Sequence, residues 1–430
     1  MGGQRRTTER RLLWEALGIT LLAFGLVFAR QVMSEEPPQV GDGLLYLLFF
    51  ASLYGLHKAL CLLRVRGGEI LLPWVTFLSG WGLVMKFRLR FLTFEYLGTP
   101  RVLVYPLAAA ATVLVLLLFR RYRLRGLQRA HVLWAGLALG VMVVLLRYGS
   151  QFRGAYYGPF LTTPGEVVKV LLLLYLVGFL ATHGEEFTTT WLGLPWARLR
   201  VLLSFLILWF TPQVLLLRQG DFGALIILGG LAVVMFYVAT GQFSYLAWGT
   251  LLTGVAVVSI CLLVPHAQAR LLSWWDPWSD PQGRGWQTLQ ALFALRAGAL
   301  DGRGLGAGFP ELVPIVESDF IYAAFAEELG LLGSGLLVLA YWGLFRRGYQ
   351  IATQAPEPFP ALLATGCTSL LAIQALLNLG GVVKLLPITG LTLPFVSHGG
   401  TSLVVCFVLL GFLLAVADHL SATSQPQDAQ

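Results

Sequence analysis

Apolar runs recur along nearly the whole chain and leave it few ways to fold. Twelve can be counted, at roughly 12–29, 43–63, 68–85, 102–119, 131–146, 166–182, 201–217, 222–239, 243–264, 319–345, 359–378 and 400–417. They are continuous rather than alternating, so they read as helices and not as the strands of a barrel. In lipid every backbone N–H and C=O must be satisfied within the protein, and a helix does this inside one segment. Only 12% of the residues are charged, against about 25% in soluble domains. No hydrophilic block is long enough for a separate soluble domain. The expected fold class is all-α, a polytopic helical membrane protein. Several runs fall short of the ~20 residues that cross a bilayer comfortably, which predicts tilted, broken or protein-buried helices.

The formal net charge is +8. Its arginines cluster in connectors: Arg5, Arg6, Arg10 and Arg11 before the first run, Arg64 and Arg66 after the second. Arg120, Arg121, Arg123, Arg125 and Arg129 follow the fourth, and Arg346 and Arg347 the tenth. All fall on one side, which the positive-inside rule makes cytoplasmic. No basic patch is interleaved with base-stacking aromatics, so nucleic acid is not an expected partner. Lys86, Arg88 and Arg90 break the rule: either that hairpin is misread or these charges meet an anion outside. With an even span count both termini are cytoplasmic, and the tail 421–430 is a polar extension there. The long connector 265–318 then lies outside the membrane. It is rich in Asp, Arg, Gly and Trp, and a connector of that length is seldom mere linkage.

Several chemistries find no support. The four cysteines lie in apolar runs without CxxC spacing, and the six histidines form no HxxxH pair, so a His/Cys zinc site is not expected. There is no Walker A motif. The Gly-rich turn Gly304 to Gly308 follows no strand and does not read as a dinucleotide site.

Ionisable residues inside apolar runs are costly and mark functional interiors. Glu166 and Lys169 stand at i and i+3 and share a helix face. Arg218 and Asp221 flank a glycine between two runs, either as a solvated turn or as the mouth of a polar cavity. Asp319 is placed to cap the helix that carries Glu327 and Glu328. Lys384 adds a charge to the Gly-, Pro- and Ser-rich stretch Asn378 to Leu403, which includes Ser397. Such backbone is tolerated at membrane depth only when buried in protein or lining a wet cavity.

These segments, in this order, resemble the SEDS family (shape, elongation, division and sporulation). The family's QPSExxK is similar to Thr163 through Lys169, its QPDLGT to Gln219 through Ala224, and its TDFIFAxxxEELG to Ser318 through Gly330. Its GxxLPFxSYGGSSL is similar to Gly390 through Leu403, and its DPxGxGYQ to Asp280 through Gln287, continuing without gaps to Gly304. The chain departs from these patterns at Thr163, Gly165, Gly220, Arg296, Ala297, Ile315 and His398, and Lys384 stands where many members have glycine.

The resemblance implies a ten-helix core with two extra N-terminal spans. Residues 1–150 would be an N-terminal transmembrane region, 151–420 the catalytic core with the extracytoplasmic loop 265–318, and 421–430 the tail. It also implies a peptidoglycan glycosyltransferase of the bacterial cytoplasmic membrane. Such an enzyme polymerises lipid II outside the cell, beside a class B penicillin-binding protein. That chemistry needs a general base for the acceptor hydroxyl and cationic groups for the departing pyrophosphate. Asp280 corresponds to the family's catalytic aspartate, with Asp276 as its rival. Arg153, Lys169, Arg218, Arg296, Arg303 and Lys384 are candidate pyrophosphate ligands; Glu166, Asp221 and Ser397 are further substrate-binding candidates. Asp319, Glu327 and Glu328 are expected to be structural or to line a cavity. A divalent cation, Mg or Mn, is compatible with the task, and no carboxylate spacing designates its site. The competing expectations are a lipid II flippase and a non-catalytic scaffold for a penicillin-binding protein.

Overall fold

The computed structural model describes residues 6–33, 40–89, 103–152, 155–157, 164–188, 190–191, 194–195 and 198–423. Five helices come first: α1 (Thr7–Val32), α2 (Val40–Leu62), α3 (Leu71–Arg88), α4 (Val104–Arg129) and α5 (His131–Tyr148). Then come α6 (Pro164–His183), α7 (Leu199–Gln219), α8 (Phe222–Thr240) and α9 (Phe243–Leu263). The last five are α10 (Pro265–Trp275), α11 (Trp286–Gly298), α12 (Ile321–Thr353), α13 (Pro358–Val382) and α14 (Gly400–Thr423). Two very short antiparallel hairpins interrupt the series. The first pairs β1 (Ser150–Phe152) with β2 (Ala155–Tyr157), and the second pairs β3 (Thr190–Trp191) with β4 (Leu194–Pro195).

Each of the twelve apolar runs falls on a helix. Among the described residues, eleven helices are long and apolar enough to cross a membrane. The exception is α3, which carries Lys86 and Arg88 within 18 residues and is buried between neighbouring helices along nearly its whole length. The protein is a multi-pass, all-α membrane protein.

Helices α6, α13 and α14 form the centre, with 72–78% of each apolar window buried. Their small residues permit this. A side chain added at Gly411 of α14 would meet Val115 of α4, the helix against which α14 packs. Helix α9 is the opposite case. None of its apolar window is buried, and it touches mainly α8 and α10.

The segment 265–318 is not a plain loop. Pro265 opens α10 at its first turn, where the missing N–H is no loss. A short 3-10 turn at Pro277–Ser279 follows, and then α11. The next helix, α12, begins at Ile321 with Phe320 as its N-cap, so the capping position expected of Asp319 falls one residue later. Within α12, Gly330 has φ 63° and ψ −169°, which breaks the helix into two rods.

Candidate active site

A polar cavity of about 900 Å³ opens where α6, the α7–α8 junction, α10, α11 and the stretch 388–402 converge. Residues from all five motifs read from the sequence line it, and three of its walls are built as follows. The first is the start of α6. Glu166 and Lys169 pair at 2.9 Å, with the Lys169 side chain only 2% exposed and Glu166 14%. A buried ammonium needs more than one acceptor to offset its lost hydration. Lys169 finds a second one in Gln374 of α13, at 2.9 Å. Gln374 in turn donates to the Thr392 carbonyl at 2.9 Å and to its hydroxyl at 3.2 Å, and Thr392 meets Ser402 at 2.8 Å. One hydrogen-bonded chain therefore ties α6 and α13 to the stretch at the start of α14.

The second wall is the α7–α8 junction. Gly220 ends α7 in the left-handed region, at φ 75°. Asp221 then caps α8, accepting from the Ala224 N–H at 3.0 Å, and still faces the cavity. Gly165 lies close enough that a side chain there would meet the Asp221 carboxylate at 2.9 Å.

The third wall comes from the segment 265–318. Arg270 of α10 donates to the Thr389 carbonyl at 2.6 Å and faces Asp319 and Asp221, which oppose the cost of its burial. His266, one turn earlier, also lines the cavity. Burial, reinforced by Arg270, holds its pKa below the ordinary imidazole value and so favours the neutral ring. Asp319 lines the same cavity, and Arg284 and Gln287 close it from the α11 side.

Asp280 does not itself line the cavity but is bonded to Arg284, which does. Its carboxylate, 41% exposed, accepts the backbone N–H groups of Gly283 and Arg284 at 3.0 Å each, and Arg284 Nε lies 3.5 Å away. These bonds, led by the Arg284 backbone N–H, hold its pKa below the usual carboxylate value. The turn requires glycine: a side chain at Gly285 would lie 1.9 Å from the Pro277 carbonyl. Asp276 accepts from the Trp278 N–H at 3.1 Å and so shapes the preceding turn.

Other candidates lie elsewhere. Arg218 and Arg296 are exposed and do not line the cavity. Lys384 has φ 60°, a conformation that suits glycine, and its carbonyl accepts from the Trp274 indole at 3.1 Å. Ser397 is buried as a clamp, accepting from the Leu393 N–H and donating to the Ser318 carbonyl. Arg303, Glu327 and Glu328 form a separate cluster with Arg88. Arg153 lies outside the described residues. Among the described residues, no three His, Cys, Asp or Glu side chains converge to hold a metal ion.

Beside the polar cavity runs an apolar groove of about 390 Å³ between α7, α8 and α9. Trp209, Phe236 and Trp248 line it, and Phe222 is common to groove and cavity.

Residues 69–422 match the FtsW/RodA/SpoVE family, described as cell cycle proteins. The chain belongs to the FtsW/RodA/SpoVE family. The match begins two residues before α3, which leaves α1 and α2 outside it. Peptidoglycan glycosyltransferase RodA of Mycobacterium tuberculosis (strain ATCC 25618 / H37Rv) is 33% identical over 427 residues, covering 96% of this chain and 90% of its own. Stage V sporulation protein E of Bacillus subtilis (strain 168) is 34% identical, covering 64% of this chain and 74% of its own. Two solved structures share the fold. One is a chain from a peptidoglycan synthase complex studied for how it coordinates polymerization and crosslinking. Its TM-score is 0.64 at 23% identity, covering 84% of this chain and 99% of that chain. The other is the rod shape determining protein RodA of Thermus thermophilus, with TM-score 0.55 at 24% identity, covering 82% and 96%.

Three residues of this site carry no motif signal in the sequence: Arg270 and His266, which line the cavity, and Gln374, which holds Lys169 from behind it. The first two sit on α10, whose proline start and short apolar periodicity were the available signal. Gln374 is a lone amide in a long apolar run, and a polar group in such a run must find a partner.

Proposed function

We propose that the protein is a peptidoglycan glycosyltransferase that polymerises lipid II at the outer face of the bacterial cytoplasmic membrane. Both termini are read as cytoplasmic, and α1 and α2 as an addition to a ten-helix core. The observation that carries this reading is the juxtaposition of a polar, cation-bearing cavity with an apolar groove, joined at Phe222. A substrate with a diphosphate head and a polyprenyl tail presents those two chemistries side by side.

In the reaction an acceptor sugar hydroxyl attacks the anomeric carbon of the donor. The bond from that carbon to the undecaprenyl pyrophosphate oxygen breaks, and the hydroxyl proton passes to a base. We assign the base to Asp280, whose pKa is lowered by the hydrogen bonds of its own turn. Positioned bases of this kind contribute about 10²–10⁴-fold. Lys169, Arg270 and Arg284 face the cavity and would offset charge developing on the leaving pyrophosphate. Energy comes from the leaving group, in keeping with the missing nucleotide motif. The partner is taken to be a class B penicillin-binding protein, which would cross-link the product.

The test is purified protein with its partner in lipid nanodiscs, given labelled lipid II. Glycan strands that vanish with Asp280→Ala, while folding and partner binding persist, would support the assignment. Undiminished polymerisation by Asp280→Ala would sink it. Movement of lipid II across vesicle membranes without polymer would favour a flippase instead.

A further inference from the structure

The cluster around Glu328 takes no part in the cavity, yet it is the most completely bonded group of charges in the loop region. Glu328 is fully buried and pairs with Arg88 Nε at 2.8 Å. Its other oxygen accepts the Gly306 N–H at 2.8 Å. Arg88 Nη2 donates to the Gly308 carbonyl at 2.8 Å and lies 3.6 Å from Glu311. Glu327 accepts the Phe309 N–H at 3.0 Å and lies 3.7 Å from Arg303. Two adjacent carboxylates of α12 and one arginine of α3 thus hold the glycine-rich limb 302–309.

The same limb closes the break in α12. At Gly330 the first rod ends with carbonyls that no helical N–H can reach, and the second begins with unpaired N–H groups. The limb and the residues just before it, at the end of α11, supply both. Arg303 and Gly304 donate to the Glu327 and Glu328 carbonyls at 3.0 and 2.9 Å. Leu331 and Leu332 donate to the Ala299 and Leu300 carbonyls at 3.0 and 3.1 Å. Glycine is needed on both sides of this seam, since a side chain at Gly302 or Gly330 would lie 2.3 Å from backbone atoms of the other strand.

This latch is continuous with the reaction site. It begins at the end of α11, where a side chain at Gly298 would lie 1.7 Å from the Ala326 carbonyl. The other end of α11 carries the turn 280–285 that places Asp280 and Arg284, and Ser273 of α10 meets Thr288 there at 3.1 Å. A helix carries a displacement at one end to the other. Slack at the latch therefore shifts Asp280 and Arg284 relative to the cavity.

We infer that Arg88 is a positioning residue for glycosyl transfer, acting through Glu328, the 302–309 limb and α11 on the Asp280 turn. The inference rests on the glycosyltransferase reading above. It also accounts for the basic residue that broke the charge rule: the anion Arg88 meets is the protein's own Glu328.

The experiment uses the full chain with its penicillin-binding partner in nanodiscs, and compares wild type, Arg88→Gln and Arg88→Lys. Two readouts are taken: amide hydrogen exchange, and the kcat and KM for labelled lipid II. Arg88→Gln should speed exchange at 303–309 and also at 283–285. It should lower kcat by roughly 10–100-fold, the scale expected of a small misplacement of reacting groups, with KM changed far less. Arg88→Lys keeps a countercharge but loses the bond to Gly308, and should fall between the two. Faster exchange at 303–309 with unchanged exchange at 283–285 and unchanged kcat would make Arg88 a structural tether only and overturn the inference. Wild-type exchange at 303–309 in Arg88→Gln would overturn it as well. If Arg88→Gln does not fold, Arg88→Lys decides alone, and wild-type values in both readouts reject the inference. If wild type itself makes no glycan, the glycosyltransferase reading fails, and coupled exchange between the two segments still decides the latch.

Discussion

Two clusters of buried charge in this protein use the same residue types to opposite ends. At the mouth of α6, Glu166 and Lys169 pair with each other yet remain on the wall of an open cavity. At the break of α12, Arg88 and Glu328 pair with each other and fill their remaining capacity with backbone groups. The first cluster keeps space for something else to bind, and the second leaves none. Buried charge by itself therefore does not mark a reaction site here. Charge beside unfilled polar volume does, because a ligand can then complete the hydrogen bonding that the protein leaves open.

The largest expected effect belongs to neither cluster but to the turn that carries Asp280 and Arg284. Asp280→Ala should cost about 10²–10⁴-fold in polymerisation, read as glycan strands formed from labelled lipid II, with partner binding intact. Next comes Lys169→Met, which removes a cavity cation and should lower kcat by about 10²-fold. Its stability loss should be smaller than that of Arg88→Gln, because water in the cavity can reach Glu166 but not the fully buried Glu328. Breaking such a sealed pair typically costs about 3–5 kcal/mol. Thermal melting of both variants checks this, and equal losses would make the two clusters equivalent. Arg270→Lys should weaken activity by roughly tenfold, since a point charge replaces a planar fork that spans Thr389 and the acidic wall. Steady-state kinetics would divide this loss between kcat and KM, and the shape of the pH–rate profile should stay unchanged.

The pH profile itself is a finer probe. Asp280 has a lowered pKa, so its active carboxylate form persists as pH falls through the usual value of about 3.9 and is lost only below it. The acid limb of activity limited by this group should have its midpoint below that value. Removing the side-chain contact with Arg284→Gln should move the acid limb upward, by a modest amount because the backbone N–H bonds remain. The smallest effect is expected at Lys384, away from both clusters. Its left-handed backbone costs a non-glycine residue about 1–2 kcal/mol, so Lys384→Gly should raise the melting temperature slightly. A fall would show that the Lys384 side chain makes a contact worth more than the strain.

Much of the architecture was legible because its cause is local. The twelve apolar runs became helices, since continuous apolarity and backbone satisfaction are properties of one segment at a time. The pairing partner of Lys169 at i−3 was visible for the same reason. Helices α10 and α11 are not legible within the polar segment 265–318, because their short amphipathic patterns compete with Asp, Gly and Pro turns, and the roles of Arg270 and His266 are hidden with them. Arg88 stands out in the sequence by breaking the charge rule, but its partner lies 240 positions away and no local pattern points to it.

The sequence by itself determined an all-helical, multi-pass membrane protein whose charged motifs occur in a recognisable order. Both follow from hydrophobicity and spacing, which act over one helix or one motif. Only the tertiary structure decided which charges face open volume and which are sealed. It set Lys169 beside Gln374, Asp221 beside Arg270, and Arg88 against Glu328. Those choices depend on how distant helices meet, since burial and partners, not residue type, fix what a charged side chain can do.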